Sequence, residues 1–133
     1  TADAWREQQM MMRQTLDHWI SDWESNNIEN YMRNYSEPDF ISNGKNYREW
    51  ETYKRRVNRN RKNIDIEYSN LNIFKYPGER DLVLMQYDQT YSSSNLNTDS
   101  PKELYWQKQD SRWKIVYEGT RKPGNYRTSR ARN

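Results

Sequence analysis

Apolar positions recur along this chain with two different periods, and the change falls near Asn63. Before it, Trp5, Met12, Leu16, Trp19 and Trp23 follow one another at steps of 7, 4, 3 and 4, the stripe of an amphipathic helix. Glu7, Gln8, Arg13, Asp17 and Asp22 fall mainly on the other side. The spacing predicts a helix near residues 4–25 whose Met and Trp stripe packs on a sheet. Asn26-x-x-Glu29 reads as a capping box opening a second helix, 28–35, with Ile28, Tyr31, Met32 and Tyr35 on one face and Pro38 beyond its end. Ser42-Asn43-Gly44 marks a turn. Asn46-x-x-Glu49 then starts a third helix, 46–61, which carries Tyr47, Trp50, Tyr53 and Val57.

After Asn63 the pattern alternates with period two, as strands do. Strands are predicted at 64–75, 81–94, 102–109 and 112–120. Tyr76-Pro77-Gly78 joins the first two, Ser94–Pro101 reads as a polar loop, and Gln109–Arg112 closes a hairpin. In the second strand Val83, Met85, Tyr87, Gln89 and Tyr91 share one face, while Leu84, Gln86, Asp88, Thr90 and Ser92 share the other. Helices followed by antiparallel strands make an α+β fold with the helices on one sheet face. The domain is expected over residues 1–120, with a fraying tail at 121–133.

Composition changes this picture in one respect. Only 32% of the 133 residues are hydrophobic, a level that on its own suggests disorder. The 6 Trp and 11 Tyr argue otherwise, because each buried ring removes about 150–250 Å² from water. The core is therefore expected to be aromatic, with Trp19, Trp23, Trp50, Trp106 and Trp113 mostly buried.

Charge is uneven. The tail holds Arg121, Lys122, Arg127, Arg130 and Arg132; taking these five from the 22 basic residues leaves 17 against 19 acidic ones. The body is thus slightly acidic, apart from the run Lys54, Arg55, Arg56, Arg59, Arg61 and Lys62. That run and the tail could touch phosphates, but basic side chains also suit a helix C-terminus, and the acidic body disfavours nucleic acid as a partner. No stretch approaches the roughly 20 apolar residues of a membrane-spanning helix. The chain opens TADAWREQ and is expected to be a piece of a longer protein.

The order helix, short helix, helix, curved sheet resembles nuclear-transport-factor-like (SnoaL-like) domains. The sharper likeness lies in Gln89-x-Tyr91-x-Ser93, Lys102-x-Leu104-x-Trp106 and Trp113-Lys114-Ile115-x-x-Glu118, with Trp19, Trp23, Tyr31-Met32-x-x-Tyr35 and Trp50 on the helices. Over residues 5–118 these resemble the C-terminal accessory domain of bacterial YkuD-type L,D-transpeptidases and related cell-envelope proteins. The resemblance implies a cone-shaped fold, a periplasmic or cell-envelope address, and a non-catalytic appendage. The chain has no Cys, and His18 is its one histidine, so a Cys/His transpeptidase site is absent.

Some domains of this shape are isomerases, dehydratases or cyclases, which need a carboxylate base facing hydrogen-bond donors in an apolar pocket. The candidate bases are Asp88, Asp65 and Glu67, with Tyr87 or Tyr91 as donors. Asp88 has the opposite strand parity from both tyrosines, so no carboxylate–Tyr dyad is expected inside a cavity. No metal is expected, since one His and no HExxH spacing cannot hold zinc; the four isolated glycines make no phosphate loop. No cofactor is expected. What remains is a pocket of flat rings and a few donors, formed by Tyr35, Trp50, Gln89, Tyr91, Lys102 and Trp106. Such a mixture suits a sugar- or peptide-like envelope ligand. The alternative is that these residues simply build the core, with Gln89 and Lys102 satisfying each other. Self-association into a homodimer through the sheet is compatible with either.

Overall fold

The computed structural model describes residues 1–121. Three helices precede and cover one face of a four-stranded antiparallel sheet. Helix α1 (Ala2–Ser25) is capped by the Thr1 side chain, which accepts from the Ala4 amide, and buries Met12, Leu16, Trp19, Ile20 and Trp23. It ends at Asn26 in the left-handed conformation (φ 59°). Asn26 is therefore a helix terminator and not the start of a capping box; the cap of α2 (Ile28–Met32) is Asn27, whose side chain accepts from the Asn30 amide. An Asn is one of the few residues that adopts the left-handed region readily, and two in succession let one helix stop and the next begin.

Helix α2 is shorter than the pattern predicts. The chain leaves it so that Asn34–Ser36 can run beside the last strand: Ile115 donates to Asn34 O at 2.7 Å, and Ser36 donates to Ile115 O at 2.9 Å. This places Tyr35 in the interior. Strands β1 (Ile41–Ser42) and β2 (Lys45–Asn46) form a two-residue hairpin around Asn43 and Gly44, both at positive φ (53° and 74°). That pair of conformations is the mirror-image turn that Asn-Gly favours.

Helix α3 (Tyr47–Asn58) starts with the expected capping box between Asn46 and Glu49. Asn46→Ala is expected to cost about 0.5–2 kcal/mol, read as a lower midpoint in urea unfolding. The helix stops before the predicted Arg61, and Asn26 accounts for this. Its side chain donates to Asn58 O, which also accepts from the Arg61 amide, and to Arg61 O, capping the carbonyls at the end of the helix.

The sheet is ordered β3 (Asp65–Lys75), β4 (Leu82–Ser93), β5 (Leu96–Gln109), β6 (Arg112–Thr120). The expected loop Ser94–Pro101 is a two-residue turn followed by strand, with Leu96–Pro101 paired only to β4. These residues look like a loop because that stretch carries polar side chains on both faces. β4 shows the expected alternation, with Val83, Met85, Tyr87, Gln89 and Tyr91 buried. Two bulges curve the sheet, one at Ser69–Asn72 in β3 and one opposite Tyr105–Trp106 in β6.

The core is a run of rings. Centroids lie 5.3 Å apart for Trp19 and Trp23, 5.1 Å for Tyr31 and Tyr35, 5.2 Å for Tyr35 and Phe40, and 5.4 Å for Phe40 and Trp50. Trp19, Trp23, Trp50 and Trp106 are buried as expected. Trp113 is half-buried, because it sits near the open hairpin end of β6, where it lines a cleft with Met11, His18 and Arg33. The tail at 122–133 lies outside the described residues. Arg121 donates its backbone N–H to Pro101 O and its side chain to Asp88.

Candidate functional site

The interior of the cone holds a charged cluster centred on Glu118. Ile115 faces inward on β6, so strict alternation would turn Glu118 outward. The bulge takes up one residue between Ile115 and Tyr117 and brings Glu118 opposite the inward-facing Leu104. One Glu118 oxygen accepts from Tyr35 Oη at 2.5 Å, the other from Lys102 Nζ at 3.1 Å. Tyr35 Oη in turn accepts from Trp19 Nε1 at 3.2 Å and lies 2.7 Å from Tyr31 Oη. Since Tyr35 spends its one proton on the carboxylate, Tyr31 donates to Tyr35.

Burial by itself would raise the Glu118 pKa. The ammoniums of Lys102 and Lys54 and the hydrogen bonds from Tyr35 and Lys102 together outweigh it and hold the carboxyl below its ordinary range. Burial, then the nearby Glu118 charge, pushes the Tyr31, Tyr35 and Tyr87 hydroxyls well above theirs. Lys54 is pushed down to about 8, chiefly by burial, with Glu118 pulling the other way.

Around this cluster five buried polar atoms have no hydrogen-bond partner among the described residues: Nε1 of Trp23, Trp50 and Trp106, Tyr87 Oη and Gln89 Oε1. Trp50 Nε1 lies near enough to the Tyr31 hydroxyl to ease its ionisation without reaching hydrogen-bond geometry. Buried polar groups are nearly always paired, and each unpaired one costs about 1–3 kcal/mol. All five lie in the interior of one domain, and four of them can donate.

The six sequence-predicted residues all lie on this inner side, and the structure links most of them. Tyr35 joins Lys102 through Glu118, and its ring lies 6.1 Å from that of Trp50. Tyr91 packs on Trp23 at 5.6 Å. Gln89 and Lys102 do not satisfy each other: Lys102 bonds Glu118, and Gln89 Oε1 is unpaired. Trp106 is fully buried on the floor. Trp50, Gln89 and Tyr91 keep a small remnant of exposure and fringe the cluster. A cleft of about 550 Å³ lies on the opposite sheet face among Leu82, Glu103, Tyr105 and Tyr117.

The weighed catalytic carboxylates lie elsewhere. Asp88 is on the outer face, bonded to Asn70 at 2.8 Å and Arg121 at 3.1 Å, while Asp65 and Glu67 are exposed on β3. None of these carboxylates pairs with Tyr87 or Tyr91, but the packed interior holds a carboxylate–Tyr pair that the sequence did not single out, Glu118 with Tyr35. It is a poor general base. A base works best with a pKa near the working pH, whereas Glu118 is held low and both its oxygens are taken. Among the described residues there is no cluster of three His, Asp or Glu side chains able to hold a metal. In the basic run, Lys54 points inward, and Arg55 is paired with Glu29 at 3.0 Å and Glu51 at 2.9 Å.

The fold is similar to solved structures with which the chain shares little sequence. Bd1075 of Bdellovibrio bacteriovorus superposes with a TM-score of 0.77 at 24% identity, over 86% of this chain and 40% of that one. Pgp2 of Campylobacter jejuni, a helical cell shape determining protein, gives 0.71 at 21% identity, over 79% of this chain and 38% of Pgp2. This chain therefore spans about two-fifths of the length of either. An NTF2-like protein of unknown function from Pseudomonas putida matches end to end, with a TM-score of 0.70 at 14% identity, over 90% of this chain and 89% of that one. No curated protein matches the chain. The profile of the Cds6 C-terminal NTF2-like domain matches residues 11–119. A match over that much of the chain, on this cone of helices and sheet, makes the protein a member of the Cds6 C-terminal NTF2-like domain family.

Proposed function

We propose that this is a non-catalytic accessory domain of a cell-envelope protein, and that it holds a small sugar- or peptide-like envelope component in the cone. The observation that carries the reading is the set of five unpaired polar atoms ringed by aromatic faces. Rings cover the C–H faces of such a ligand, while indole N–H, hydroxyl and amide groups reach its polar atoms. The tied-up state of Glu118 supports binding over isomerase, dehydratase or cyclase chemistry. The envelope address is supported by the likeness to a cell-shape determining protein and by the resemblance of the strand residues to those of transpeptidase-associated domains.

Calorimetric titration with envelope disaccharide and peptide fragments, and with short oligonucleotides, at two salt concentrations tests this. Fragments should bind with little salt dependence, and Tyr91→Ala should weaken binding by about 1–3 kcal/mol for a lost stacking face. Oligonucleotide binding that falls steeply with salt and survives Tyr91→Ala would refute the proposal in favour of a basic surface.

A further inference from the structure

Lys54 follows Trp50 by one helical turn and points into the cone, with 8% of its surface exposed. Its Nζ lies 4.6 Å from the centroid of the Trp23 ring and 5.5 Å from those of Tyr31 and Trp50. Three aromatic faces thus surround an ammonium. Among the described residues, no carboxylate comes within ion-pair distance of it. Taking an ammonium out of water costs several kcal/mol, and cation–π contacts return about 0.5–2 kcal/mol apiece. Buried charges are normally paired. Glu118 attracts Lys54, but its two oxygens are held by Tyr35 and Lys102. One negative charge faces two positive ones, and the cluster keeps a positive charge in excess.

Two of the rings that enclose Lys54 also carry unpaired buried donors, Trp23 Nε1 and Trp50 Nε1. Three neighbouring side chains therefore offer donors, one of them charged; Trp50 Nε1 lies near the Tyr31 hydroxyl without a hydrogen bond to it, and Trp23 Nε1 has no acceptor among the described residues. We infer that Lys54, Trp23 and Trp50 form a carboxylate-binding site, and that its ligand is the C-terminal carboxylate of a short peptide-like molecule. This rests on the interior-binding reading above and narrows its ligand class. A carboxylate brings the single negative charge the cluster lacks. A phosphate would bring up to two and leave an unmatched negative charge near Glu118. Gln89 Oε1, an unpaired buried acceptor, suits a peptide N–H upstream of the carboxylate.

The test is calorimetric titration of the full chain with N-acetyl-alanyl-alanine, with its C-terminal amide, and with a neutral envelope disaccharide. The acid should bind at least tenfold more tightly than the amide. Lys54→Met should bring the acid down to the level of the amide while still melting cooperatively, and Trp50→Phe, which keeps the ring and the ammonium but loses the N–H, should weaken the acid severalfold. Equal affinity for acid and amide, or undiminished acid binding by Lys54→Met, overturns the inference. If the acid fails to bind while the disaccharide binds in a Tyr91-dependent way, only the carboxylate assignment falls. If none of the three binds, the interior-binding reading falls with it.

Discussion

Glu118→Leu should destabilise the domain by about 3–5 kcal/mol, the usual cost of removing one partner from a buried ion pair. The substitution leaves the ammoniums of Lys102 and Lys54 in the interior without the carboxylate that both attract. It also strips Tyr35 Oη of its acceptor at 2.5 Å. Adding Lys102→Met to Glu118→Leu should recover a large part of the loss, since replacing both partners by apolar groups is often near neutral. The pH dependence has a definite sign. A carboxyl held below its ordinary pKa stabilises the fold above the unfolded value near 4.5, and this is lost as pH falls through the folded value. In urea unfolding, the wild type should therefore lose more stability than the double variant as pH drops below about 4.5. Equal acid sensitivity of the two proteins would show that the Glu118 carboxyl titrates alike in the folded and unfolded chain and is not held low by its partners.

The second large effect has the opposite sign. Lys54→Met should stabilise the domain by up to about 3 kcal/mol at pH 7, the free-energy equivalent of lowering a lysine from 10.5 to about 8 at 1.36 kcal/mol per unit. Because the folded pKa is depressed, the wild type carries the whole penalty below pH 8. The penalty fades between pH 8 and 10.5, as the folded form loses its proton before the unfolded one does. The stability difference between variant and wild type should shrink over that window. A Lys54→Met protein less stable than wild type at pH 7 would mean that the ring contacts more than offset the burial. A binding site often keeps such a group at the expense of stability, so loss of ligand together with gain of stability is the signature to look for.

The helices and the sheet were legible because their periods are clean. The alternation of β4 buries the residues that the pattern selects, and so does the stripe of α1 from Met12 to Trp23, with Ile20 beside it and Trp5 left half-buried. Two parts of the site were hidden for physical reasons. Glu118 is turned inward by a bulge in β6, and a parity argument carried along the strand from Ile115 cannot see an inserted residue. Lys54 sits in a basic run and so reads as a solvated helix end. A signal was nevertheless present, because Trp50, Tyr53, Lys54 and Val57 fall at i, i+3, i+4 and i+7, which places the lysine on the apolar stripe. The β1–β2 hairpin escaped because two-residue strands leave no alternation to detect, although its Asn43-Gly44 turn was readable. The first residues of β5 escaped because they are polar on both faces. The burial of Tyr35, Trp50, Tyr91 and Trp106 was legible because large rings in a chain this poor in aliphatics must build the interior.

The six tryptophans allow the central claim, that ligand enters the cone, to be tested residue by residue. In a ¹H–¹⁵N spectrum each indole N–H gives its own signal. Trp23, Trp50 and Trp106 carry N–H groups that are buried and unpaired, Trp19 is already bonded to Tyr35, and Trp5 and Trp113 are half-buried outside the cluster. On titration with an envelope peptide or disaccharide fragment, the Trp23 and Trp50 signals should move most, and Trp106 with them if the ligand reaches the floor, while Trp5 and Trp113 stay in place. Shifts confined to Trp5 and Trp113, with the Trp23, Trp50 and Trp106 signals unmoved at saturation, would put the ligand on the outside of the domain and contradict the account.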